Sequence, residues 1–229
     1  MGVKERYESV SERLARVCVE AGRDPREVRL VAVSKTVGVD EVREACAAGA
    51  LDFGENRPDC ILEKAHAIPE ARWHFIGNVQ SRRIDDIVSV SSLVHSLYQV
   101  HHVEKFEAAA ARAGKVQDVL LEVNVSGEAS KSGVAPDDAK ALLDACRACE
   151  HLRVRGLMTM APRGDERVAS ECFYGLAQLH AQLKSTLDED YALTFNELSM
   201  GMSEDWPCAV RAGATIVRIG RAVFSDTFE

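Results

Sequence analysis

Leu30-Val31-Ala32-Val33-Ser34-Lys35-Thr36 is the stretch from which the fold is read. The run from Val28 to Val33 is apolar except at Arg29, the pattern of a strand covered on both faces in a parallel sheet. A lysine closing such a strand sits at its carboxyl end, where α/β folds gather their chemistry. Partial desolvation of the ammonium would favour the free amine, a nucleophile. Taken alone, Lys35 reads as a side chain snorkelling from a strand end into water, and the rest of the chain reverses that.

On either side the same alternation repeats. Residues 4–21 carry Tyr7, Val10, Leu14, Val17 and Cys18 at helical spacing, with Gly22 as a stop. After the strand ending at Lys35, the sequence predicts a helix over 40–48 and a strand over 51–53, followed by the polar turn Gly54-Glu55-Asn56-Arg57 into a helix. Strands over 72–76 and 87–94 follow, the second ending at His95-Ser96, then a helix bearing Val103, Phe106 and Ala110. Over 116–125, Val119, Leu121, Val123 and Val125 share one face and Asp118, Leu120, Glu122 and Asn124 the other. A loop (126–133) leads to a helix over 136–149, a strand over 152–158 and a long helix through Val168, Leu176 and Leu183. Strands over 195–198 and 214–219 flank a helix over 203–212. Eight alternating strands in 229 residues predict a (β/α)8 barrel with an extra N-terminal helix, one domain spanning 1–229. An open doubly wound sheet fits less well, because no glycine-rich dinucleotide loop follows strand one.

In a barrel the strand ends meet at one rim. Here they read Lys35, Asn56, Asn78, His95, Asn124, Met158, Ser199 and Arg218. Val31, Val33 and Lys35 share a face, as do Ala214, Ile216 and Arg218, and strands one and eight are neighbours in a closed barrel. Two inward cations side by side call for an anionic or polar ligand. The loops after strands seven and eight, Ser199-Met200-Gly201-Met202-Ser203 and Ile219-Gly220-Arg221, suit a phosphate, with Gly201 and Gly220 allowing close backbone approach. Ser203 reads as a helix N-cap. Lysine, arginine and phosphate cradle together suit pyridoxal 5′-phosphate: Lys35 takes the aldehyde as a Schiff base and Arg218 faces the ring nitrogen. An arginine only donates, so the ring stays a weak electron sink, suited to holding the cofactor or to racemase-type chemistry rather than to transamination.

Composition excludes other classes. A net charge of −8 without a basic cluster argues against nucleic acid or an anionic membrane as partner. No apolar run reaches a membrane span and the charged N-terminus lacks a signal-peptide core, which predicts a cytoplasmic protein. The seven cysteines are scattered and read as free thiols. Cys146 and Cys149 continue a helical apolar stripe and read as structural. No motif carries metal-ligand spacing.

The stretches LVAVSKT (30–36), FGENR (53–57), WHFIGNVQSRR (73–83), VNVSGEASKSG (123–133), GLMTMAP (156–162), LSMGMSEDW (198–206) and VRIGRAVF (217–224) together resemble the pyridoxal-phosphate homeostasis proteins, whose barrel is similar to the N-terminal domain of alanine racemase. The resemblance implies that Lys35 is the Schiff-base lysine, that Ser199, Gly201 and Gly220 bind phosphate, that Arg218 meets the ring nitrogen, and that Asn56 and His74 line the site. It implies a vitamin B6 carrier or regulator without robust turnover, whose partners are the cofactor and apo-enzymes that use it; a full barrel is expected to be a monomer. Arg221 and Asn78 depart from the family pattern, which has a small residue and frequently a histidine there. The alternative is a cofactor-dependent amino-acid racemase. It requires a second acid–base group opposite the lysine. None of the four tyrosines falls at a strand's carboxyl end, and the chain ends 11 residues after Arg218, which leaves no extra domain to bring one.

Overall fold

The computed structural model describes residues 1–128 and 130–228. Among these, eight parallel strands close into a barrel in sequence order: β1 (Arg29–Val33), β2 (Asp52–Glu55), β3 (Arg72–Phe75), β4 (Leu93–Leu97), β5 (Gln117–Glu122), β6 (Leu152–Met158), β7 (Glu197–Ser199) and β8 (Ile216–Ile219). The helices are α1 (Val3–Glu20), α2 (Val39–Ala47), α3 (Pro58–Ala67), α4 (Ile84–Val90), α5 (Val100–Arg112), α6 (Ala139–Arg147), α7 (Glu166–Lys184), α8 (Glu189–Thr194), α9 (Trp206–Arg211) and α10 (Arg221–Phe224). The expected fold class holds, extra N-terminal helix included. That helix buries Leu14, Val17 and Cys18, packs on α2, α9 and α10, and ties down through Arg6 Nε, which donates to the Val223 carbonyl at 2.8 Å.

Strand alternation sorts side chains into two apolar layers. Val31, Leu93, Leu120, Met158 and Ile216 meet inside the barrel. Leu30, Ala32, Val119, Leu121, Val217 and Ile219 face the helices. The β1–β8 register sets Val31 opposite Arg218. Arg218, two residues from the inward Ile216, therefore points into the barrel near its carboxyl rim.

Several boundaries differ from the sequence reading. The expected strand over 87–94 is the helix α4 followed by β4. Ile84, Ile87 and Val88 are buried at i, i+3 and i+4, so packing on α3 and α5 overrides the strand preference of their β-branched side chains. β5 stops at Glu122, earlier than expected. The expected strand over 195–198 is β7, preceded by α8. The expected helix over 203–212 is the shorter α9, with Asp205 at its N-cap, so Ser203 is not the cap. No described helix is long and apolar enough to cross a membrane.

Candidate functional site

A cavity of about 370 Å³ opens at the carboxyl rim of the barrel. Lys35, Asn56, Asn78, Arg218, Gly220 and Arg221 all border it, so the strand ends do converge. Lys35 itself is exposed. β1 ends at Val33, and the turn closed by the Val37 N–H on the Ser34 carbonyl (3.1 Å) carries Lys35 out over the rim. The desolvation expected of this lysine is therefore not present. What the fold supplies is a fixed base. The Ser34 N–H donates to the Gly54 carbonyl at 3.0 Å, its Oγ to Glu55 Oε1 at 2.7 Å, and its carbonyl accepts from Lys64 Nζ at 2.8 Å. Lys64 also pairs with Glu55 at 2.5 Å, both side chains buried.

Glycines let the rim close. A Cβ on Gly77 would lie 2.0 Å from the Asn56 carbonyl oxygen, and one on Gly220 would lie 3.0 Å from the Val33 oxygen. The end of β8 thus sits directly against the end of β1, beside Lys35. Arg218 is 4% exposed, at the cavity floor. Its Nη1 donates to Ser199 Oγ at 2.6 Å and its Nη2 to the Thr159 carbonyl at 3.0 Å, leaving further guanidinium N–H groups for a ligand. Burial lowers its pKa to about 10, against the opposing charges of Asp205 and Glu122, so it remains a cation and a pure donor at neutral pH.

Three residues expected in the site lie outside the cavity wall. His74 and Ser199 are buried inside the barrel beneath Arg218, their side chains engaged with Asp52 and His95 and with His95 and Arg218 respectively. Gly201 is buried with φ +92°, and a Cβ there would meet Ala209 Cβ at 2.7 Å and Trp206 Cα at 2.9 Å. It packs β7 onto α9, and its carbonyl accepts from the Arg218 N–H at 2.9 Å.

Other residues take their places. Ser203 lines the cavity, in a turn held by the Met202 N–H on Asp205 Oδ1. Glu122 lines it from the end of β5. Burial raises its carboxyl pKa, opposed by the Ser132 hydroxyl and the Arg218 charge. Asn124 closes the following turn instead, donating to the Glu128 carbonyl at 2.9 Å. The alternation Leu120–Glu122 signals an inward carboxylate, but reading the strand to Val125, three residues beyond the end of β5, shifts the choice to Asn124. Ser132, within the stretch 123–133, and Arg163 reach the cavity from loops, outside the reach of strand or helix periodicity.

The family described as alanine racemase, N-terminal domain, matches residues 9–227. The chain is 40% identical to the pyridoxal phosphate homeostasis protein of Pseudomonas aeruginosa, covering 97% of this chain and 94% of that one. It is 35% identical to the protein of the same name from Aquifex aeolicus, covering 99% of each. Among solved structures, PipY of Synechococcus elongatus PCC7942 with PLP bound superposes with a TM-score of 0.83 at 30% identity, over 97% of this chain and 100% of that one. The chain therefore belongs to the alanine racemase N-terminal domain family, among the pyridoxal phosphate homeostasis proteins.

Proposed function

We propose that this chain binds pyridoxal 5′-phosphate in the rim cavity and works in the homeostasis of that cofactor, as a carrier or regulator without robust turnover. The observation that carries the reading is the joint opening of Lys35 and Arg218 into one cavity of about 370 Å³, a small-ligand size. The donor set fits the cofactor. Lys35 offers an amine on a fixed base for the aldehyde. Ser203, the Gly220 backbone and Arg221, itself paired with Glu204 at 2.5 Å, border the side suited to the phosphate. Arg218 presents N–H groups to the ring nitrogen. When bound, the cofactor supplies an electrophilic carbonyl and a conjugated ring able to accept electron density. Arg218, held as a donor, keeps that ring nitrogen an acceptor, and this favours holding over turnover. His74, Ser199 and Gly201 lie beneath the cavity, where Ser199 Oγ and the Gly201 carbonyl accept from the Arg218 side chain and backbone.

The described cysteines are all free and the chain is acidic, which supports a monomeric carrier in the reducing cytoplasm, with the whole of 1–229 acting as one unit that exchanges cofactor with apo-enzymes. Borohydride reduction of the loaded protein, followed by peptide mapping, should place the adduct on Lys35. Lys35→Ala should lose both the adduct and the absorbance band near ~420 nm of a lysine-held cofactor. An undiminished adduct in the variant would overturn the assignment.

Two observations favour the racemase reading: Glu122, an acid with a raised pKa, stands in the cavity wall, and β4 runs to Leu97, so that Tyr98, contrary to the expectation that no tyrosine falls there, follows at a strand's carboxyl end and donates to Asn78 Oδ1 at 3.1 Å. Incubation of the loaded protein with L-alanine separates the two readings, since sustained formation of D-alanine selects the enzyme.

A further inference from the structure

Beneath the cavity, a run of polar side chains crosses the barrel. Asp52 Oδ1 lies 3.0 Å from His74 Nε2, and His74 Nδ1 lies 2.9 Å from His95 Nε2. His95 Nδ1 lies 2.9 Å from Ser199 Oγ, which Arg218 Nη1 reaches at 2.6 Å. All five side chains are buried. Arg218 opens into the rim cavity, whereas Asp52 and His74 border a second cavity of about 240 Å³ at the amino-terminal end of the barrel. The ladder joins the two ends of the fold.

Its direction follows from its termini. A guanidinium only donates and an ionised carboxylate only accepts. Asp52 fixes the order from below, and at the top Ser199 Oγ accepts from Arg218 on one lone pair while its single hydrogen goes to His95 Nδ1. His95 then carries its hydrogen on Nε2 and donates to His74 Nδ1. His74 carries its own on Nε2 and donates to Asp52. A second hydrogen on either ring would place two hydrogens between one pair of heavy atoms. Burial keeps both imidazoles below their ordinary pKa, with the Arg218 charge acting further on His95 and the Arg29 and Arg72 charges opposing the Asp52 carboxylate at His74. At the far end, hydrogen bonds from Arg72 and His74 outweigh burial and bring the Asp52 pKa down to about 2, so it is ionised.

We propose that Asp52, at the end of the barrel remote from the rim cavity, is a positioning residue for that cavity: acting through His74, His95 and Ser199, it sets the direction of the hydrogen-bond ladder that holds the Arg218 guanidinium in place. Without the carboxylate, His74 Nε2 faces the Arg72 and Arg29 guanidiniums and becomes an acceptor. Its hydrogen moves to Nδ1, His95 must carry its own on Nδ1, and Ser199 Oγ meets two donors while its hydroxyl hydrogen loses its acceptor. The Arg218–Ser199 bond then weakens.

The ladder is tested in the ligand-free full chain by long-range ¹H–¹⁵N correlation spectra of the imidazoles at pH 7. In the wild type, both His74 and His95 should carry hydrogen on Nε2. Asp52→Asn, whose amide oxygen still accepts, should keep that pattern. Asp52→Leu should move the hydrogen of His95, a ring that does not touch residue 52, to Nδ1. Hydrogen on Nδ1 of either ring in the wild type overturns the proposal, as does an unchanged His95 in folded Asp52→Leu. The wild-type spectrum decides even if the leucine variant does not fold. The consequence for the site rests on the cofactor reading above. Pyridoxal 5′-phosphate should bind Asp52→Leu about tenfold more weakly, the effect of one hydrogen bond of ordinary strength, and Asp52→Asn should restore most of the loss. Reversed tautomers with unchanged affinity would refute the positioning role. A wild type that binds no pyridoxal phosphate would refute the cofactor reading and leave the tautomers to be judged on their own.

Discussion

The Asp52 carboxylate should leave a measurable mark on the acid stability of the fold. Its side chain is only 6% exposed. Arg72 reaches its two oxygens from Nε and Nη2 at 2.8 and 2.6 Å, and His74 donates to it at 3.0 Å. Burial alone would raise its pKa, but these bonds bring it from an ordinary 3.8 down to about 2. At about 1.36 kcal/mol per pH unit, that lowering stabilises the native state by about 2 kcal/mol at neutral pH. Because the folded value is depressed, the stabilisation is complete above the unfolded value and is lost as pH falls through the folded one. About 1 kcal/mol should be gone by pH 3 and the rest below pH 2. Asp52→Asn keeps the shape and cannot titrate. Urea unfolding of both proteins from pH 8 to pH 2.5 should give a stability difference that is flat down to about pH 5 and narrows below it, other carboxylates cancelling between the two. A difference that stays constant to pH 2.5 would refute the depressed carboxylate and, with it, the anchor of the ladder.

Two further outcomes follow from packing. Gly201→Ala sets a Cβ against Ala209 and Trp206 at a backbone angle suited to glycine. It should lower stability by about 1–3 kcal/mol and reduce cofactor affinity only secondarily, read by a thermal melt beside a binding titration. A stable variant with weak binding would return Gly201 to the phosphate loop. Lys64→Met strands the Glu55 carboxylate, whose Oε2 already has no partner. Chemical denaturation should show a loss of about 3–5 kcal/mol, much of it recovered when Glu55→Gln is added. A loss below about 1 kcal/mol would show that the ion pair does not hold the base of Lys35.

The legible parts of the chain were those whose physics is local. The alternation of Val31 and Val33 with Ile216 and Arg218 placed Arg218 inward, and the structure keeps that phase. The rim residues Lys35, Asn56 and Gly220 follow from the positions at which their strands stop. The α4 segment was misread because Ile87, Val88 and Val90 favour strands, and only the tertiary packing of Ile84, Ile87 and Val88 marks it as a helix. Ser199 stands at a strand end as read, and His74, named through the resemblance alone, lies within β3, yet the role of each depends on which side chains from β2, β4 and β8 reach it. No window of sequence contains those contacts. Gly201 was expected to admit a phosphate. The atoms that exclude a side chain there belong to α9, and its approach is set by the closure of the barrel.

The interior of the barrel explains why the ladder must be complete. Val31, Leu93, Leu120, Met158 and Ile216 fill the space beside it, so a polar atom without a partner there meets hydrocarbon and costs about 1–3 kcal/mol. The partners available are fixed in number. Each neutral imidazole has one donor and one acceptor, and Ser199 Oγ gives its single hydrogen to His95 while accepting from Arg218. The character of the residue at position 218 is therefore tied to that at position 52. A carboxylate in place of Arg218 would ask Ser199 to donate toward the rim, reverse both imidazoles and call for a donor where Asp52 stands. A donor at the cavity floor and an acceptor at the base of the barrel are one choice, made across the whole depth of the fold. The electronic character of the rim site is thus set in part by residues that no ligand in the cavity touches.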